Sequence, residues 1–192
     1  MKTKLLLALA LAVALFSSRA NAQTSTWVID SVHSSVNFEI LHLGVSHVHG
    51  AFSNVKGTVT LNEKDITKSA VAATIDATTV STGEPARDKH LKSADFFDVE
   101  KNPTLTFQST SLRRVGGKLQ LIGNLTLNGV TKSVTLDLDG PTAPQTIQGK
   151  TVSGFSATGI IKRSDYGFGA KFAPPILGDE VKFTIDVEID KQ

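Results

Sequence analysis

Hydrophobic and polar residues alternate along most of the chain, which is the pattern of β-strands that bury one face. The alternation is clearest near the C-terminus, where Val181, Phe183, Ile185, Val187 and Ile189 fall on one face. Runs of the same kind precede it, at 26–30, 36–42, 52–61, 70–77, 103–107, 119–127, 134–138 and 151–162. The pattern therefore predicts an all-β domain of eight or nine strands.

The strands follow one another through turns, without a regular alternation of strand and helix and without a repeat of fixed length. Asn128-Gly129, between two alternating runs, indicates a two-residue hairpin turn. Residues 141–149 are expected to form a loop. A sandwich and a closed barrel both fit this pattern. We favour an eight-stranded antiparallel barrel, because closure removes the exposed strand edges that invite aggregation.

The interior of such a barrel either fills with side chains or holds one small ligand. The inward faces carry mainly Val, Ile, Leu, Ala and Gly, and their aromatic residues are Phe. These faces suit an apolar guest, and they suit a solid core equally well. The pattern alone leaves both interpretations open.

One segment, 87–98, departs from the strand pattern and predicts the single helix. Arg87, Leu91 and Ala94 are spaced as one stripe of a helix, with His90 beside them. The preceding residues 81–84 (Ser-Thr-Gly-Glu) fit a capping box, followed by a proline that suits a first turn. We expect this short helix, with the aromatic pair Phe96 and Phe97 after it, to cover one end of the barrel.

Polar residues of this helix have two compatible interpretations. Arg87, Asp88 and His90 could form ion pairs that anchor the helix, or Arg87 could meet the polar head of a ligand, since guanidinium groups bind phosphate and carboxylate well. Further on, the glycine- and aromatic-rich segment 166–175 is expected to be a flexible apolar lid at the mouth.

The N-terminal residues 1–22 predict a cleavable signal peptide. Lys2 and Lys4 precede an unbroken apolar run of 12 residues, 5–16, and Ala20-Asn21-Ala22 fits a cleavage site. The run is too short to span a bilayer, which takes about 20 residues. We therefore expect an exported protein whose mature chain is the single domain 23–192.

Removal of 1–22 changes the charge of the chain. The peptide carries three of the 20 basic residues and none of the 18 acidic ones, so that 17 basic residues remain and the net charge changes from +2 to −1. This balance does not favour nucleic acid or an anionic membrane surface as a partner. The chain contains no Cys, so the core must be stable without disulfides.

Two groups of residues offer alternatives based on catalysis or metal binding. Asp30, His33 and Ser34 are too close in sequence for a hydrolase triad, and we expect Asp30 to cap a turn that His33 holds by hydrogen bonds. A metal-dependent enzyme is the alternative function. His47 and His49 would lie on one face of an extended segment, a spacing that suits zinc, and His42 could be a third ligand. A third alternative is a stress or adhesion factor that acts through its surface and has a filled core.

Short motifs in order along nearly the whole chain after residue 26 resemble the YceI-like family. They are Trp27-x-x-Asp30-x-x-His33-Ser34, Phe38, His42-Leu43-Gly44, Gly50-x-Phe52, Arg87-Asp88-x-His90-Leu91-Lys92-Ser93, Phe96-Phe97-Asp98, Pro103-x-x-x-Phe107-x-Ser109-Thr110, Gly123-Asn124-Leu125-Thr126, Asn128-Gly129-Val130-Thr131-Lys132, Arg163, Asp165 and Gly167. At the hairpin turn this chain has Asn128 where the family often has His, and we expect this difference to affect the turn only.

The resemblance implies that 23–192 is a periplasmic, lipocalin-like lipid-binding barrel. It implies that the barrel binds, transports or stores a polyisoprenoid, an isoprenoid quinone or a similar amphiphile in its interior. It implies no catalytic residue, no metal ligand and no cofactor except such a bound lipid. Some relatives are similar to partners of membrane cytochromes, so a cytochrome partner is an expectation here, and a homodimer stays open. The candidate ligand-binding residues are Phe38, Ile40, His42, Phe52, Arg87, Asp88, His90, Leu91, Phe96, Phe107 and Phe168.

Overall fold

The structure is a computed structural model that describes residues 24–192, so the predicted signal peptide lies outside the described residues. It contains eleven strands and one α-helix. In chain order they are β1 Thr24–Ile29, β2 Ser35–His42, β3 Ser46–Phe52, β4 Val55–Asn62, β5 Ala70–Asp76, α1 Pro85–Leu91, β6 Thr104–Val115, β7 Lys118–Leu127, β8 Val130–Asp139, β9 Gln145–Ile147, β10 Lys150–Lys162 and β11 Leu177–Lys191.

The strands close into an antiparallel barrel with eight positions around the ring, as predicted. Three of the eight positions are each occupied by two shorter strands that lie end to end. These pairs are β1 and β2, β3 and β4, and β8 and β9. The ring closes where β11 pairs with β10 on one side and with β1 and β2 on the other. The loop expected at 141–149 therefore contains the short strand β9.

The break between β1 and β2 is a turn held by Asp30. Its carboxylate accepts a hydrogen bond from the Val32 amide at 2.8 Å and lies 3.0 Å from Nδ1 of His33. This bond to His33 lowers the pKa of Asp30 and raises that of His33. The expected structural roles of Asp30 and His33 are confirmed.

One end of the barrel is filled by side chains. Trp27, Val59 and Ile189 are 2%, 1% and 0% exposed, and they pack between β1, β4 and β11. On the opposite wall a second cluster of Leu112, Leu119, Leu121, Leu136 and Ala157 packs between β6, β7, β8 and β10. This end has the turns β4–β5 and β6–β7 and serves as the solid base of the barrel.

The other end has α1, the β2–β3 and β7–β8 hairpins, and the connection between β10 and β11. Helix α1 ends at Leu91, shorter than the predicted segment 87–98, and the chain continues through turns to a positive φ of 46° at Asp98. Glu84 is itself the N-cap, since its carboxylate accepts from the Ala86 amide at 3.2 Å. The predicted capping box that began at Ser81 is wrong, because Ser81 pairs through its backbone with Ala51 of β3.

Within residues 24–192 we find no helix with the length and apolar character needed to cross a membrane.

Candidate functional site

The helix-bearing end of the barrel encloses a cavity of about 340 Å³. Its size falls at the lower end of the range for ligand pockets, about 300–1,000 Å³. The wall is formed by inward side chains of the barrel strands and closed by residues of α1 and of the β10–β11 connection, none of them acidic. The interior is therefore hollow at this end, which decides between the two interpretations of the sequence pattern.

Most candidate residues lie in the wall of this cavity. The aromatic rings are in contact, with centroids 5.6 Å apart for Phe38 and Phe52 and 5.3 Å for Phe52 and Phe97. Ten of the eleven residues singled out in the sequence line the cavity: Phe38, Ile40, His42, Phe52, Arg87, His90, Leu91, Phe96, Phe107 and Phe168. Their contact with a ligand stays a prediction.

Asp88 does not line the cavity, and its contact with a ligand stays a prediction. Its carboxylate accepts hydrogen bonds from the amide and the hydroxyl of Thr82, at 2.7 and 2.6 Å. The bond from the Thr82 hydroxyl is the main reason why the pKa of Asp88 is lowered. Arg87 donates from Nε to the same hydroxyl at 2.7 Å and from Nη2 to the Thr82 carbonyl at 3.1 Å. Both side chains therefore fix the segment before the helix, and Arg87 also reaches the cavity wall.

His90 joins the helix to the β10–β11 connection. Its ring packs edge-on against Phe96 and Phe172, with centroid distances of 5.0 and 5.8 Å. Its Nε2 lies 3.4 Å from a carboxylate oxygen of Asp95, whose other oxygen accepts from Lys171. The Lys171 ammonium first, and His90 second, hold the pKa of Asp95 below its ordinary value. A polar cluster thus borders the cavity at this point.

Arg163, at the end of β10, is 4% exposed and lines the cavity. Its guanidinium donates five hydrogen bonds to backbone carbonyls of the segment 168–178, namely Phe168, Gly169, Phe172, Leu177 and Gly178. The fixed fork of five donors suits this role better than a Lys ammonium would. Because these bonds anchor the segment from inside, the structure argues against the flexible lid expected at 166–175.

Glycine residues make room for the aromatic rings of the wall. A Cβ at Gly50 would overlap the ring of Phe38, the residue opposite it on β2. A Cβ at Gly159 would lie 2.6 Å from Cζ of Phe183, the residue opposite it on β11. Each ring therefore lies flat over the neighbouring strand and leaves the centre of the barrel empty.

The mouth of the cavity lies beside α1. Only three of the lining residues are exposed, namely Arg87 and His90 of the helix and Ile176 of the β10–β11 connection. His42, at the end of β2, is half-buried and pairs with Leu177 next to Ile176. Three polar lining residues, Arg87, His90 and His42, therefore lie at the mouth. Apart from Thr82 and the buried Arg163, whose guanidinium is bonded to backbone carbonyls, the remaining wall is apolar.

The three histidines proposed as zinc ligands do not form one site. His42 lines the cavity, whereas His47 and His49 of β3 pair with Leu41 and Glu39, whose side chains point to the outer face of β2. The imidazoles of His47 and His49 are exposed, with centroids 6.5 Å apart. His47 and His49 share the outer face of β3, as expected for residues two apart in a strand. His42 points into the barrel from the other side of the hairpin turn, so it cannot complete a site with them.

The residues considered for a triad are also separated in role. Ser34 is buried, and its hydroxyl accepts from the Glu188 amide at 3.1 Å, which ties β2 to β11. In residues 24–192 the one group with the spacing of metal ligands is Asp30, His33 and Glu188, on the outside of the barrel. His33 is 62% exposed there, and its bond to Asp30 serves the turn.

Several wall residues were not among the candidate ligand-binding residues. Phe183 belongs to the alternating run of β11, so the sequence indicated that its side chain faces the interior. Nothing in the run showed that this part of the interior is a cavity. Phe97 and Phe172 lie in irregular segments without a period. Arg163 was among the motif residues, but its role could not be predicted, because its partners are backbone carbonyls.

A closed antiparallel barrel with an apolar cavity open at one end is the architecture of lipocalin-like binding proteins. The sequence profile of the YceI-like domain matches residues 27–189. The chain therefore belongs to the YceI-like family, as its motifs indicated.

Relatives of known sequence or structure are consistent with this family assignment. The chain is 41% identical over 187 residues to Protein YceI of Salmonella arizonae, covering 96% of each chain. It is similar to the crystal structure of the Campylobacter jejuni YCEI protein, with a TM-score of 0.70 and 31% identity over 79% of this chain and 89% of that one. A polyisoprenoid-binding domain from Saccharophagus degradans is similar in fold, with a TM-score of 0.62 and 15% identity over 86% of this chain and 98% of that one.

Proposed function

We propose that this protein binds a long-chain amphiphile, such as a polyisoprenoid or an isoprenoid quinone, inside the barrel and carries or stores it in the periplasm without chemical change. The observation that carries the proposal is the cavity, which has a largely apolar wall, no acidic lining residue, and Arg87, His90 and His42 at the mouth. The predicted signal peptide 1–22 supports export. The ligand class is also the one bound by the Saccharophagus degradans domain of the same fold.

The energetics favour such a guest. Each buried methylene group contributes roughly 0.8 kcal/mol, so one five-carbon isoprene unit contributes roughly 4 kcal/mol before the costs of ordering it. The apolar tail would occupy the space between Phe38, Phe107 and Phe183. Its polar head would remain near Arg87, His90 and His42, where donors and water are both available.

The first test is mass spectrometry of an organic extract of the protein purified from its own host. The proposal expects about one lipid molecule per chain, with an isoprenoid tail and a polar head. An extract without lipid, repeated with gentle purification and with added candidate lipids that fail to bind, would contradict the carrier function.

A substitution in the wall tests the position of the ligand. Phe38→Asp places a charge in the apolar cavity and should reduce the bound lipid at least tenfold, because an unpaired carboxylate in such a wall must remain hydrated. Phe155→Asp is the matched control, since Phe155 is also partly buried against the core and does not line the cavity. Circular dichroism establishes that both variants fold. Equal lipid content in the folded Phe38→Asp variant and the wild type would contradict this placement.

Export and partners follow from the same proposal and are tested separately. Fractionation of the producing cell should find the protein in the periplasm, with Gln23 at or near its N-terminus. If the guest is a quinone, a membrane cytochrome is the expected partner, and cross-linking in cells should capture it. Sedimentation would show whether the carrier is a monomer or a homodimer.

A further inference from the structure

Large hydrophobic side chains are exposed in a group beside the cavity mouth. Leu41, Leu43, Val45 and Ile176 are 37%, 52%, 82% and 50% exposed, and we call these four residues the mouth patch. The amide of Leu43 donates to the Ile176 carbonyl at 3.1 Å, which joins the β2–β3 hairpin to the β10–β11 connection. Ile176 also lines the cavity, so the patch is continuous with its wall.

The turn of the β2–β3 hairpin has an unusual sequence for its backbone. Leu43 and Gly44 have φ values of 53° and 72°, nearly the same as Asn128 and Gly129 of the β7–β8 hairpin, at 51° and 73°. Asn-Gly is the usual choice for two residues with positive φ, and Leu is disfavoured at the first of them. The turn geometry therefore does not explain Leu43, and a function of the exposed side chain would.

The two chain segments that carry the mouth patch contain no acidic residue. The segments 40–50 and 166–178, which form the hairpin and the adjoining connection, contain Lys171 and three His but no Asp or Glu. Asp95 pairs with Lys171, and Glu39 lies 3.9 Å from His49, so the surface around the patch is close to neutral and not acidic. A neutral surface of this kind allows apolar contact with a bilayer without strong repulsion from lipid phosphates.

We propose that the mouth patch docks on the surface of a phospholipid bilayer and places the cavity mouth against the lipid from which the guest is taken. This inference rests on the proposed carrier function and adds the partner of its site. Shallow insertion of a few apolar side chains is sufficient for reversible binding to a bilayer. A stable contact with a second protein needs about 20–30 residues per side, far more than four side chains at a hairpin tip.

The test measures binding of the purified full-length mature protein to vesicles of phosphatidylethanolamine and phosphatidylglycerol by flotation. The variant combines Leu43→Asn, which suits the positive φ, with Val45→Ser. Neither residue lines the cavity. Val32→Ser is the matched control, because Val32 is 81% exposed and Val45 is 82% exposed, but Val32 lies in the β1–β2 turn away from the mouth.

We expect the double variant to bind vesicles at least about tenfold more weakly than the wild type, a loss of about 1.4 kcal/mol. Val32→Ser should bind like the wild type. All three proteins, incubated to equilibrium with the same candidate lipid, should hold the same amount of it, because the cavity wall is unchanged. Equal binding of the double variant and the control, or a wild type that does not bind vesicles, would overturn the proposal. A wild type that dimerises through the patch without lipid, and in which the double variant is monomeric, would overturn it in favour of a second copy.

The two proposals fail in different ways. Vesicle binding that depends on the mouth patch, in a protein whose extract is empty, would support membrane docking and contradict the carrier function. A stoichiometric lipid in a protein whose vesicle binding is independent of the patch would support the carrier function and contradict the docking surface.

Discussion

At the base of the barrel, Trp27, Val59 and Ile189 fill the interior, whereas at the mouth end Phe38, Phe107 and Phe183 line a cavity. Both regions are built from the same alternation of inward and outward residues on the same strands. They differ in what faces each large side chain: the rings at the mouth end lie over Gly50, Gly123 and Gly159. Alternation along a strand therefore determines which residues face the interior. The residue opposite each ring on the neighbouring strand determines whether the interior is filled or hollow.

The largest expected effect is at the base. Trp27→Ala should lower the free energy of unfolding by about 3–5 kcal/mol, because it removes a large buried ring and leaves a void. Phe38→Ala at the mouth end should cost roughly 1–2 kcal/mol, because one side of that partly buried ring already faces the cavity. Urea unfolding of the lipid-free proteins measures both values. A larger loss for Phe38→Ala than for Trp27→Ala would contradict the distinction between a solid base and a hollow mouth end.

A smaller loss of unfolding free energy is expected when Arg163, which anchors the mouth end, is replaced. Arg163→Met should cost about 2–4 kcal/mol, because buried carbonyls lose charged donors. The loss should be local, so hydrogen exchange of amides in 166–178 should accelerate more than exchange in β1 and β4.

Arg163→Lys is the control for this prediction. It keeps the positive charge but has three donors in place of five, so its stability should be intermediate. Exchange that accelerates uniformly over the barrel in Arg163→Met would show that Arg163 supports the whole fold and not the mouth end.

The smallest effect concerns pH. The pKa of Asp95 is lowered by Lys171 and His90, so the folded state gains stability from the ionised carboxylate above the ordinary carboxyl pKa of 3.8. This gain is lost as the pH falls through the lower pKa of the folded state. Thermal unfolding should therefore show wild type above Asp95→Asn at neutral pH, and the two should converge at strongly acidic pH. A constant difference at all pH values would contradict the role of the charge.

Much of the fold could be predicted from the sequence, because its signals are local. The alternation of β11 and the Asn128-Gly129 turn need only neighbouring residues, and both correspond to the structure. The hollow end could not be predicted from single strands, because it depends on which residue lies opposite Phe183 or Phe38. The hydrogen bonds of Asp88 could not be predicted for a similar reason. Its carboxylate meets Thr82 only because the chain turns between Thr82 and α1.

The pairs of phenylalanine and glycine across strands also bear on how the strands find their alignment during folding. On β10 the inward neighbours of Gly159 are Ala157 and Ile161, both of which carry a Cβ. If β11 slipped by two residues, the ring of Phe183 would meet one of these side chains at a place where only a hydrogen atom fits. A two-residue slip of β11 is therefore unfavourable. Phe183 and Gly159 thus serve two purposes: they leave space for a ligand, and they fix the alignment of β10 and β11 during folding.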